Sequence, residues 1–310
     1  MDVAIRDGRE RDAARVREIA TDTWPDRAVE DYVGGAYPRW VTEAESRDDR
    51  RVLVADRDGE VVAVMRGLLL SDDEGWASGL RVAREARGAG VGKRLTRETL
   101  DWLRGSGATV CRNLVHGWNA PSLALSRATG FEPLTAFRFA EPTPDAAAGG
   151  DADLAVVDDA GAALAFWSAC ETRERLAGLA LDPTETWAFS TLTRGRVRTA
   201  AEEGRLFAVR REEGVCGLTL RTRVATYGDG DRIAEYGVGA WPPGDAATAQ
   251  GVLAAAARDA ADVDADRARV VVPERVTWAT DAASAGAGLA DGPEFVLAAD
   301  LSGGGEAQTT

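Results

Sequence analysis

The apolar positions of this chain fall into two alternating rhythms, one of period two and one of helical spacing. Val3-Ala4-Ile5-Arg6 reads as an opening strand, with Asp7 as a candidate cap for the next element. Ala13, Ala14, Val16, Ile19 and Ala20 then form the stripe of a helix. Residues 21–47 hold Trp24, Tyr32, Tyr37 and Trp40 among Gly34-Gly35 and Pro38. Residues 52–55 and 61–64 are apolar runs around Asp58-Gly59, which predicts a hairpin. Leu68 to Leu70 extends its second strand, and Ser71-Asp72-Asp73-Glu74-Gly75 makes another turn. A strand over 76–82, a helix over 95–103, a strand over 108–115, a helix over 122–129 and a last strand or pair within 131–139 follow.

Residues 140–153, rich in Ala, Pro, Gly and Asp, read as a linker. Beyond it the order returns. Residues 205–209 and 215–218 repeat the hairpin, 233–240 the strand at 76–83, and 246–258 the helix after it. Residues 268–272 repeat the next strand and 295–301 a closing strand, while 162–198, with Trp167 and Trp187, supplies the opening helices. The reading is a tandem duplication of an α/β unit of mixed α+β type. Its expected limits are 1–142 for the first domain, 143–153 for the linker, 154–302 for the second domain and 303–310 for a tail.

The candidate chemistry gathers at Arg87-Gly88-Ala89-Gly90-Val91-Gly92-Lys93. Alternate glycines lie between a strand and a helix, where the backbone turns sharply or meets a ligand. A helix that begins there offers unpaired N–H groups and a partial positive charge to a phosphate. A P-loop would need a glycine at Arg87 and a hydroxyl at Arg94, so that reading is rejected. A dinucleotide fingerprint starting at Gly88 would need its last glycine at Lys93. A tight turn without a ligand stays open on the glycines alone.

Leu80-x-Val82 followed by Arg87-x-x-Gly90-x-Gly92 resembles the acetyl-CoA pyrophosphate loop of the GNAT superfamily of N-acetyltransferases. Val115-x-x-x-Asn119, then Ser122, Leu125 and Gly130-Phe131, is similar to the end of that family's fifth strand and its fourth helix. The resemblance covers residues 1 to about 140 and implies an α/β fold with a mixed, mostly antiparallel twisted sheet. It implies acetyl-CoA as co-substrate and transfer of acetyl to a primary amine. Leu80, Arg81 and Val82 would meet the pantetheine arm, and a backbone N–H there would polarise the thioester carbonyl. Gly88, Ala89, Gly90, Val91 and Gly92 would hold the pyrophosphate with Arg87 and Lys93 near it, and Asn119 and Ser122 complete the cofactor set. The aromatic residues of 21–47 fit either an acceptor pocket or the core. The family usually places a tyrosine about seven residues after the Asn to protonate the leaving thiolate; here Ser126 stands there, a shorter and far weaker acid. Two candidates arise for the general base. Glu74 lies at the mouth of the strand, and His116, the only histidine, follows Val115.

The second copy lacks this chemistry. Pro243-Gly244-Asp245-Ala246-Ala247-Thr248 stands in place of Arg87 to Gly92, and no Asn matches Asn119. Asp245 would repel a pyrophosphate, so the second domain reads as degenerate. Net charge is −14, and Lys93 is the only lysine. A surface so acidic repels itself at low salt, which predicts a salt-loving source and disfavours nucleic acid as a partner. Nothing in the sequence is long and apolar enough for a membrane span, and no signal region opens the chain, so a cytoplasmic monomer or homodimer without metal is expected. Cys111, Cys170 and Cys216 lack metal spacing and read as buried reduced thiols. A non-catalytic acyl-CoA-binding or regulatory protein is the alternative function.

Overall fold

The computed structural model describes residues 3–24, 31–150, 154–227 and 230–303. The chain runs through β1 (Ala4–Asp7), α1 (Ala13–Thr21), α2 (Tyr32–Ser46), β2 (Arg50–Arg57), β3 (Glu60–Leu69), β4 (Glu74–Val82), α3 (Val91–Gly105), β5 (Val110–His116), α4 (Ala120–Ala128) and β6 (Glu132–Glu141). It continues through β7 (Ala155–Val157), α5 (Ala160–Ala169), α6 (Glu171–Arg175), β8 (Leu179–Leu181), β9 (Phe189–Thr191), α7 (Arg194–Glu202), β10 (Leu206–Arg211) and β11 (Gly214–Thr226). β12 (Arg232–Ala240), α8 (Ala246–Asp262), β13 (Arg267–Pro273), α9 (Val276–Ser284), β14 (Gly288–Leu289) and β15 (Glu294–Asp300) complete it.

Two compact units emerge. Of the described residues, unit 1 takes those up to Val115, Asn119–Pro133 and those from Leu297 on; unit 2 takes His116–Trp118 and Leu134–Val296. In unit 1, β1 to β4 pair antiparallel in sequence order, and β4 pairs parallel with β5. The β2–β3 turn has Asp58 at φ 55° and Gly59 at φ 89°, the left-handed pair of a primed hairpin turn. Leu95 and Leu103 of α3 are fully buried, each stabilising the fold by roughly 1.5–3 kcal/mol. Gly67 and Gly75 leave room for that helix, since a Cβ at either would lie about 3 Å from Trp102 or Leu103. Asp7 is not the cap of α1. Its carboxylate pairs with Arg51 at 2.6 Å, and the residue before α1 is Asp12, which accepts from Arg6 and from the Arg9 amide.

In unit 2, β7, β10, β11 and β12 pair antiparallel, and β12 runs parallel to β13 from Ile233↔Arg267 to Tyr236↔Val270. β6 lies antiparallel on β13. The segment read as opening helices contains α5, α6 and α7, interrupted by a ribbon of β8 and β9 that the helical reading missed. α9, the counterpart of α4, was not read either.

The closing strands differ from the sequence-ordered expectation. β6 was assigned to the first half, yet its residues from Leu134 on belong to unit 2. The end of β15 belongs to unit 1, where the Leu301 amide donates to Thr109 O at 2.8 Å. The segment read as a linker is ordered in unit 2 as far as residue 150: the Asp145 amide donates to Ala257 O at 3.1 Å, and Arg258 binds Ala148 O. Asp151 to Asp153 and the tail from 304 lie outside the described residues. Of the cysteines only Cys111 is buried outright, and burial pushes its thiol and that of Cys170 up, away from the reactive thiolate. No helix among the described residues is long and apolar enough to cross a membrane, and none of them form a cluster able to hold a metal.

Candidate active site

β4 and β5 are paired only at Glu74↔Val110, Gly75↔Cys111 and Trp76↔Arg112. Beyond Trp76 the two strands carry no further ladder. The cause lies in β4, whose register against β3 jumps from Arg66↔Ser78 to Val64↔Arg81. Gly79 and Leu80 therefore oppose Met65 alone, a bulge that bends the strand. Gly79 has φ +69°, and the Trp40 ring lies 2.8 Å from where its Cβ would be, so the backbone passes where a side chain could not. The Ala83 amide donates to Val62 O at 2.8 Å. Alternation along the strand then turns the Val82 amide away from β3, toward the open side.

The glycine loop closes this wedge. Gly88 and Gly90 both have φ +78°, with nothing within 4 Å of a Cβ at either. Gly90 is the N-cap of α3 and offers no side chain to it, and the first amide to return along the helix is that of Arg94, to Gly90 O at 3.1 Å. The amides of Val91, Gly92 and Lys93 are left without intrahelical acceptors at the positive end of the helix dipole. Lys93 is exposed in that first turn, where no acidic residue stands and a cation opposes the dipole; a bound anion would reverse the sign. Arg87 does not point into the loop. Its guanidinium donates to Val82 O at 3.0 Å and Asp22 O at 3.2 Å, which ties the loop to the end of β4. A Cβ on Gly92 would lie 3.5 Å from both Leu125 and Val82, so the end of β4, the start of α3 and α4 converge.

The remaining predicted residues separate. Arg81 is buried, holds Asp31 at 2.5 and 3.0 Å, donates to Leu80 O, and lies over the rings of Trp24 (4.4 Å) and Tyr32 (5.7 Å). Its side chain is thus structural, while Tyr37 and Trp40 are core. Asn119 is the N-cap of α4, its Oδ1 accepting from the Ser122 amide at 3.2 Å, so this pair begins the helix. Ser126 is buried on α4, and its Oγ accepts from Asn113 Nδ2 at 3.0 Å. Glu74 begins β4, six residues before Leu80 and so roughly 20 Å from it along the strand. Its carboxylate is held by Arg112 at 2.6 Å. His116 ends β5 and belongs to unit 2, where its Nδ1 lies 2.7 Å from Glu294 and its ring stacks on Trp118 at 5.2 Å. Asn113, Asp31 and Glu294 were missed. Asn113 had a signal, an amide amid the apolar run of a strand; Asp31 and Glu294 had none, being remote in sequence from their partners.

The same place in unit 2 is built differently. β12 and β13 pair over four positions, and Trp241, just after β12, is fully buried with its Nε1 donating to Asp281 at 3.1 Å. A Cβ on Gly239 would lie 2.7 Å from Val270 and 3.0 Å from the Trp241 ring. The N-cap of α8 is Asp245, which accepts from the Thr248 amide and hydroxyl and pairs with Arg211 at 2.7 and 3.0 Å. That pairing holds the Asp245 carboxyl down at about 2. As N-caps, Asp245 and Gly90 correspond, one residue off the match of Asp245 to Ala89 that the sequence suggests.

Residues 13–131 match the model of the acetyltransferase (GNAT) family. A GCN5-related N-acetyltransferase from Sphaerobacter thermophilus is similar in fold along 99% of this chain and 98% of its own, with TM-score 0.62 and 14% identity. PaiA N-acetyltransferase from Thermoplasma acidophilum, solved in complex with coenzyme A, covers 43% of this chain and 92% of its own at 19% identity and TM-score 0.40. Ribosomal-protein-alanine N-acetyltransferase from Brucella melitensis covers 44% and 88% at 27% identity and TM-score 0.37. No curated protein matches.

Proposed function

We propose that this chain, whose residues 13–131 form a domain of the acetyltransferase (GNAT) family, moves an acetyl group from acetyl-CoA to a primary amine by direct transfer in unit 1. The observation that carries the reading is the wedge between β4 and β5, ending at the uncapped N-terminus of α3. The amides from Gly88 to Lys93 hold the pyrophosphate, and the dipole of α3 adds its field. The outward edge of β4 at Leu80 and Val82 pairs with the pantetheine arm as a strand would. A backbone N–H there stabilises the negative charge that develops on the thioester oxygen.

A neutral amine attacks the thioester carbon, and the tetrahedral intermediate collapses with rupture of the C–S bond. The acetyl group stays on nitrogen, the bonding pair leaves on sulfur, and one proton leaves the nitrogen. Glu74 is not retained as the base, because it is engaged by Arg112 and stands at the far end of β4. Release of free CoA thiol from acetyl-CoA, followed over a panel of amines, tests the function. Tight acetyl-CoA binding with no turnover on any amine would replace it with the acyl-CoA-binding alternative.

A further inference from the structure

We infer that Asn113 is a positioning residue that aims the Ser126 hydroxyl at the sulfur of the leaving CoA, where it stabilises thiolate by a hydrogen bond. The inference rests on the acetyltransferase reading and assigns its leaving-group end. Asn113 is the first residue of β5 past the last β4–β5 pair, so it stands where the wedge opens. Ser126 is on α4, the helix whose Leu125 meets Val82 and Gly92 at the loop.

The two side chains leave a matched pair of loose ends. Asn113 Nδ2 donates to Ser126 Oγ at 3.0 Å, which directs the serine's own proton elsewhere, and among the described residues that proton meets no acceptor. Asn113 Oδ1 is buried with no hydrogen-bond partner. A buried acceptor without a donor is unfavourable, and an apolar residue would fit a strand interior better. The pair thus presents one free donor to the wedge, and the CoA thiolate is the acceptor that matches it, taking the hydrogen bond from Ser126 O–H.

This removes the difficulty that serine is a poor acid. Ser126 keeps its proton. As the C–S bond breaks, the electron pair goes to sulfur and CoA departs as a hydrogen-bonded thiolate. The proton lost by the amine passes to solvent. A hydrogen bond to a charged group is stronger than one between neutral groups, so it favours the charge-bearing transition state over the thioester.

The test needs no acceptor amine. CoA is bound to the full chain, and the ultraviolet absorbance of its thiolate is followed against pH. Wild-type protein should show the thiolate appearing roughly one pH unit below free CoA. Ser126→Ala and Asn113→Leu should each return it toward the free value, and Ser126→Thr should restore it. In turnover, both damaging variants should lose kcat about tenfold with KM for acetyl-CoA unchanged, and Asn113→Leu should melt no lower than wild type. A bound-CoA midpoint equal to that of free CoA in the wild type, or equal in wild type and both variants, overturns the inference while leaving CoA binding intact. A wild-type chain that binds no CoA overturns the acetyltransferase reading itself.

Discussion

Two helix N-termini in this molecule follow parallel-paired strands and end differently. α3 begins at Gly90, which offers its amides to whatever approaches. α8 begins at Asp245, whose carboxylate already satisfies Thr248 and is itself neutralised by Arg211. Trp241, fully buried, stands between β12 and α8, whereas no aromatic residue stands between β4 and α3. Unit 2 thus carries in its own side chain the anion that, in the proposed function, unit 1 takes from a ligand. In the proposed function, one framework serves as a binding site when its cap is a glycine, and supplies its own anion when its cap is a carboxylate.

The largest expected effect comes from removing that difference. Gly90→Glu should abolish acetyl-CoA binding, because an L-residue is strained at φ +78° and the new carboxylate sits where the pyrophosphate belongs. Calorimetry should find one site per chain in the wild type and none in the variant; two equal sites would break the comparison. Next, Trp241→Ala should lower stability by about 3–5 kcal/mol by opening a cavity in the unit 2 core, read as a drop in denaturant midpoint. Acetyl-CoA binding should survive in the fraction that stays folded.

Asp245→Asn should be milder, about 1 kcal/mol. Its pH dependence carries the sign: the native carboxyl is held down at about 2 by Arg211, below its ordinary value of 3.8. Its contribution is therefore complete above pH 4 and disappears as pH falls toward 2. The deficit of the asparagine variant should be full at pH 7 and shrink across that window; a constant deficit would show that the carboxylate's charge is irrelevant. The smallest effect is that of salt. With net charge −14, the melting temperature should rise from dilute buffer to molar KCl, and a flat response would argue against a salt-adapted surface.

What the sequence disclosed follows from what local pattern can encode. The hairpin at Asp58-Gly59 and the helix after Gly92 depend on neighbours in the chain, and both were legible. The glycine loop was legible as a place. The direction of Arg87 was not, because its acceptors, Val82 O and Asp22 O, are fixed by the fold. The jobs of Arg81 and Glu74 were hidden for the same reason, since Asp31 and Arg112 lie far from them in sequence. Asn119 was assigned to the cofactor although its place before an Ala-Pro helix start is also that of an N-cap. The destinations of β6 and β15 escaped the reading because an apolar strand advertises that it pairs, and its partner is chosen by long-range packing.

The placement of β15 ties unit 1 to a segment synthesised long after its other strands. Leu297 onward completes unit 1, so a nascent chain that has delivered every residue from α1 to α4 still leaves that unit open along its β5 side. Closure then brings together segments separated by most of the chain, a contact of high sequence separation and slow loop closure. Until β15 arrives, the exposed edge of β5 invites pairing with other chains. Completion of the proposed catalytic unit is thereby made conditional on β15: a message cut short between β6 and β15 yields an unfinished unit 1 rather than a free-standing first domain.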